Sequence, residues 1–133
     1  VTVDAGLRQI FRERLPRFDW CTVEMGVTSR GVPDSNYCCE GVEGWIECKQ
    51  AKHWRTVIRP EQIGWAERRI DHGGKVFCAV RRARDELWLY HGSQMRYLLK
   101  QRLDECLTLG HWEGGPAAWN WHRISQTLTS YRP

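Results

Sequence analysis

Two short runs, SNYCC (35–39) and VEGWIECK (42–49), are separated only by Glu40 and Gly41. Runs rich in aromatic and β-branched residues, parted by two residues ending in glycine, signal a β-hairpin. A two-residue turn at Glu40-Gly41 makes the numbers of facing residues sum to 81. Asp34 then lies opposite Glu47, with Cβ atoms roughly 5 Å apart. Strand alternation places Lys49 on the same face as Glu47. A bulge in either strand would break this register.

The remaining chain supplies elements around the hairpin. Residues 5–15 predict a helix with an apolar stripe of Leu7, Ile10, Phe11 and Leu15, ended by Pro16. Residues 20–25 read as a strand, and 26–33 as a loop with Ser29, Arg30 and Gly31 at its tip. After the hairpin, 51–59 is a polar, basic connection. Pro60 opens a helix that runs to about His72 and stops at Gly73-Gly74. Its core stripe is expected to be Ile63, Ala66 and Ile70, with Gln62, Trp65 and Arg69 on a second face. Residues 75–81 are apolar on both faces, as in a central strand, and 86–90 form its neighbour. Residues 93–105 suggest a helix with Met95, Leu98, Leu99 and Leu103 inward. The tail from Leu107 is Gly-rich at first, then helical over PAAWNWHRISQTL. The order α-β-β-β-α-β-β-α makes this an α/β (α+β) chain, with a mixed central sheet flanked by helices. One domain is expected over 1–133, with a core of about 5–90 and a C-terminal helical extension of about 91–133.

Composition narrows the partners. A length of 133 residues suits one domain with a real core. No apolar run approaches the ~18 residues of a membrane span, and the first 15 residues lack a signal-peptide apolar region. A cytoplasmic protein with no membrane partner is expected. Of 20 basic residues 16 are Arg, at a net charge of +4, and the rigid guanidinium fork suits a phosphate polyanion. The six cysteines form no C-x-x-C pair and read as small buried hydrophobes. The five histidines make no H-x-x-x-H spacing, which argues against zinc.

Two facing carboxylates repel, and burial makes their joint ionisation costlier. A hard divalent ion such as Mg²⁺ resolves this, taking one or two carboxylates and leaving room for water and phosphate oxygens. Asp34 and Glu47 are the candidate ligands, and the backbone carbonyl of Cys48 is a third. Lys49 would orient the attacking water and offset charge on the phosphate. Alone, a Glu-x-Lys strand pair is an ordinary solvated ion pair; the facing Pro-Asp distinguishes this one.

The pattern GVPD (31–34) followed by IECK (46–49) resembles the PD-(D/E)XK nuclease superfamily, whose restriction-endonuclease-like core has the order α-β-β-β-α-β. More narrowly, SRGVPD, GWIECK and RPEQIGW (59–65) resemble the VRR-NUC and Holliday-junction-resolvase-like branch of phage or archaeal type. The resemblance covers about residues 7–90. It implies Asp34 and Glu47 as metal ligands, with Mg²⁺ as cofactor and Mn²⁺ as substitute, and Lys49 as the catalytic lysine. It also implies an upstream acid, for which Glu24 on the first strand is preferred over Glu13 on the first helix. Gln62 matches the branch's helix glutamine and would hold Lys49 or a phosphate oxygen. Because a junction needs two cuts, the resemblance implies a homodimer.

Ser29 and Arg30 before the site, and Lys52, His53 and Arg55 after it, are candidate contacts to the DNA backbone. Trp54 and Trp65 flank the expected cleft, either as core residues or as platforms for unpaired bases. The expected function is a Mg²⁺-dependent endonuclease acting on branched or distorted DNA. The alternatives are a sequence-specific or homing-type nuclease and a non-cutting DNA-binding protein with a relic site.

Overall fold

A computed structural model describes residues 4–23 and 31–133. Six strands form one sheet in the order β1 (Asp19–Thr22), β2 (Ser35–Cys39), β3 (Val42–Ala51), β4 (Val76–Arg82), β5 (Glu86–His91) and β6 (Gly110–Trp112). All neighbours are antiparallel except β3 and β4, which are parallel. Parallel neighbours require a crossover, and α2 (Pro60–Asp71) provides it. The other helices are α1 (Leu7–Arg14), the single turn α3 (Met95–Leu98) and α4 (Trp121–Ser130). The expected mixed sheet flanked by helices is therefore present.

The hairpin has the register its turn requires: Cys39 pairs with Val42 and Ser35 with Ile46. Glu40 and Gly41 have φ of 50° and 82°, the two positive values of a type I′ turn, whose twist matches that of the strands. Alternation then sorts the core into two clusters, one on each face of the sheet. Ile46, Cys48, Phe77, Ala79, Leu87 and Leu89 pack with Leu7 and Phe11 of α1 and Ile124 and Leu128 of α4. Val76, Cys78, Val80, Trp88 and Tyr90 pack with Trp65 and Ala66 of α2 and with Met95 and Leu98. Glu47 and Lys49 alternate with Ile46 and Cys48, so they point to the α2 side.

Several expectations change. The buried face of α2 is Gln62, Trp65 and Ala66, while Ile63 and Ile70 are only half-buried. Apolar spacing could not anticipate a glutamine turned inward to meet a buried lysine. Residues 93–105 are broken into a 3₁₀ turn at Gly92–Gln94, the single turn of α3, and a second 3₁₀ turn at Leu103–Glu105. Leu103 donates its N–H to the Trp54 carbonyl at 2.8 Å and accepts the Tyr90 hydroxyl at 2.7 Å. Those tertiary bonds replace helical ones, and Leu99 is left exposed. Finally, the presumed helical extension contributes β6, which pairs along β5 through Leu87↔Trp112 and Leu89↔Gly110. It covers an edge that would otherwise be unpaired.

The last helix starts later than expected, at Trp121, because the Asn120 side chain caps it by accepting the Arg123 N–H. Trp119 stays outside the helix, buried in the core, with its indole N–H on the Asp85 carbonyl at 2.9 Å. All six cysteines are free; Cys48, Cys78 and Cys106 are buried as expected, whereas Cys38 and Cys39 are half-buried and Cys21 is exposed on the edge strand β1. Among the described residues no helix is long and apolar enough to cross a membrane.

Candidate active site

β3 outruns β2: their ladder ends at Ser35↔Ile46 while β3 continues to Ala51. Beyond that point no described strand pairs with the β2-side edge of β3, and the Asp34 side chain bonds there instead. Its Oδ2 accepts the Cys48 N–H at 2.9 Å. Within a strand the N–H and C=O of one residue point to the same neighbour, so the Cys48 carbonyl lies on the Asp34 side. The loop entering the site is held by Gly31, at φ +85°; a Cβ there would lie 2.0 Å from the Glu61 carbonyl oxygen. Only glycine lets this loop rest directly on the first turn of α2.

Glu47 and Lys49 are buried, 7% and 6% exposed, and Lys49 Nζ stands 3.5 Å from Glu47 Oε2. The ammonium also donates to Gln62 Oε1 at 3.1 Å, and the same oxygen accepts the Arg59 N–H at 2.9 Å. Gln62 thus caps the helix and steadies the lysine with one atom. Burial and then the Glu47 charge push the Asp34 carboxyl up to about 7, against the Cys48 N–H. Glu47 is raised as well, by burial, with Lys49 pulling the other way. Even with the Lys49 ammonium and the Arg8 and Arg59 guanidiniums acting on them, burial keeps both carboxyls raised, so the pair disfavours joint ionisation.

Asp34 Oδ1 is buried and makes no well-formed hydrogen bond among the described residues; the neighbouring Ser35 hydroxyl, also buried without a partner, is the one described group near enough to favour its charge. Buried acceptors are rarely left so. A buried carboxylate oxygen, a facing carboxylate and a carbonyl on the same side form an all-oxygen donor set that fits a hard divalent cation.

Of the other expected site residues, Lys52, His53 and Arg55 are exposed and line a cleft of about 960 Å³ together with Lys49, Arg59 and Arg102. Among the described residues no Asp or Glu lines that cleft. Glu24, Ser29 and Arg30 lie outside the described residues. Glu13 is exposed and accepts a hydrogen bond from Gln9; no described contact links it to Asp34 or Glu47. Trp54 has the Arg82 and Arg102 guanidinium carbons 3.6 Å and 4.6 Å from its ring centroid, and Trp88 against its edge. Trp65 is buried against Trp45, with Arg69 over its ring. Both rings are engaged in packing, as is usual for tryptophan.

Two groups escaped the sequence reading. Asp4 is buried just before α1 and is held by Arg8, whose Nε lies 2.8 Å from Asp4 Oδ2. The Arg8 charge reaches Asp34 and lowers its pKa, and Asp4 raises that of the Cys48 thiol. The D-x-x-x-R spacing across the helix start was a legible sign of the pair, though not of its destination. Separately, Glu86, His111 and Glu113 bring one ligand atom each to within 4.8 Å of one another at the β5–β6 edge. Glu86 is already bonded there to Arg82, the Trp88 indole N–H and His111, so this cluster is largely neutralised by its own neighbours. The sequence matches no protein-family profile and no curated protein.

Proposed function

We propose that this chain is a metal-dependent DNA endonuclease of the PD-(D/E)XK kind, close to the VRR-NUC and Holliday-junction-resolvase-like branch, acting in the cytoplasm on branched or distorted duplex. The observation that carries the reading is the buried Asp34 carboxylate, its pKa raised by burial and by Glu47, with Lys49 3.5 Å from that glutamate. Asp34, Glu47 and the Cys48 carbonyl would hold Mg²⁺, with Mn²⁺ as substitute, supplying Lewis-acid charge where a phosphodiester is hydrolysed. Lys49 orients the attacking water and stabilises negative charge building on the phosphate oxygens. Gln62 keeps the ammonium pointed at the reacting centre. The cleft beside Lys49 carries five Lys and Arg residues among those described; these hold the DNA backbone by phosphate contacts that carry no sequence information. A homodimer would place two such sites for paired cuts.

The test is incubation of the protein with a four-way junction, linear duplex and single strands, in Mg²⁺, Mn²⁺ or chelator. Metal-dependent cutting that favours the junction is expected, and Glu47→Ala should abolish it while the protein still binds DNA. Binding without cutting in either metal would establish the relic-site alternative instead. Cutting at one sequence in linear duplex would favour the homing-type alternative.

A further inference from the structure

Residues 55–59 join β3 to α2, and their burial alternates. Arg55, Val57 and Arg59 are exposed, whereas Thr56 and Ile58 are buried at 8% and 4%. Val57 is 77% exposed, more than any other large hydrophobic residue among those described. An isolated surface valine needs no explanation; this one stands between two arginines, and all three side chains line the basic cleft. The segment is also braced. Thr56 Oγ1 donates to the Gln50 carbonyl at 2.9 Å, Ile58 packs in the α2-side core, and the Arg59 N–H is fixed on Gln62. An apolar side chain is therefore presented outward between two arginines, each two residues away along a segment braced at Thr56, Ile58 and Arg59.

Proteins that kink DNA use this combination, with arginines on the backbone or groove and an apolar side chain between base steps. We propose that Arg55-Val57-Arg59 is a wedge: Val57 enters the base stack at a discontinuity in DNA while the two arginines hold the flanking phosphates. Intact duplex resists, because a stacked step must first be opened. A branch, nick or mismatch has already lost part of that stacking. The wedge thereby selects discontinuous over continuous DNA. The nuclease reading enters only by identifying the polyanion as DNA.

The test uses Glu47→Gln protein, so that binding is read without cutting, and DNA carrying 2-aminopurine at the branch of a four-way junction or at the matching position in linear duplex. A severalfold fluorescence rise is expected with the junction and little with the duplex. Adding Val57→Ser should remove most of the rise and weaken junction binding roughly tenfold, with duplex binding changed less than twofold; Val57→Leu should retain the rise. Arg55→Gln and Arg59→Gln should weaken both complexes. An unchanged rise in Val57→Ser, or equal weakening of junction and duplex, overturns the wedge. If wild type does not cut but the Val57-dependent rise persists, the catalytic reading falls and the wedge stands. Failure to bind any DNA removes both.

Discussion

Replacing Asp34 by asparagine should stabilise the metal-free protein, because the wild-type carboxylate is held where ionisation is unfavourable. The Asp34 carboxyl rises from 3.8 to about 7. At about 1.36 kcal/mol per unit, that shift is an upper limit of about 4 kcal/mol. Glu47 shares the strain, so about 2 kcal/mol is the expected gain. Asparagine preserves the shape: its carbonyl oxygen can still accept the Cys48 N–H, while its amide brings a donor to the Oδ1 position. The folded pKa is raised, so the folded protein holds a proton that the unfolded chain releases between about pH 4 and pH 7. Stability is therefore lost as pH rises through that window and levels off above it. The advantage of Asp34→Asn should be absent near pH 4 and full at pH 8. At about 3–5 °C per kcal/mol for a domain of this size, the variant should melt about 6–10 °C above wild type at pH 8 in chelator. Added Mg²⁺ should narrow the gap by stabilising wild type alone. The assay is thermal unfolding by circular dichroism from pH 4 to 8, with and without Mg²⁺. A variant melting at or below wild type at pH 8 in chelator, or a gap independent of pH, would refute the reasoning.

Gln62→Leu takes the acceptor from Lys49 and from the Arg59 N–H together; cleavage rate should fall about tenfold with KM little changed, alongside about 1 kcal/mol of stability lost in denaturant titration. Glu40→Asn relieves a positive φ of 50° in the hairpin turn and should raise stability by about 0.5–1 kcal/mol by the same titration, with cleavage unaffected. Tyr37→Phe removes the buried hydroxyl that donates to the Leu128 carbonyl. It should cost about 1 kcal/mol and speed hydrogen exchange in α4 more than in β4.

The contrast between the hairpin and α2 shows why some of the site was legible and some was not. The hairpin was readable because its geometry is local: two turn residues with positive φ and a side-chain period of two force Asp34 opposite Glu47 and put Lys49 on the same face. In α2 the apolar spacing pointed to Ile63 and Ile70, yet Gln62 and Trp65 turn inward. Gln62 meets a buried ammonium on another element and Trp65 packs beside Trp45, and hydrophobic periodicity within α2 carries no information about either partner. The same limit hid β6, whose short, Gly-containing run has little strand character until the β5 edge lies beside it.

By itself, then, the sequence determined the element order through β5, the hairpin register, the acid–acid–lysine constellation and the excess of arginine over lysine. All of these follow from steric and periodic rules acting over a few residues. Tertiary structure alone decided that the Asp34 carboxyl is buried against Glu47, that Arg8 reaches Asp34, that Arg102 joins a cleft lined by Lys52 and Arg55, and that Val57 stands outward between two arginines. Those relations depend on how distant elements pack and on which buried polar groups must find partners, so no local rule could have supplied them.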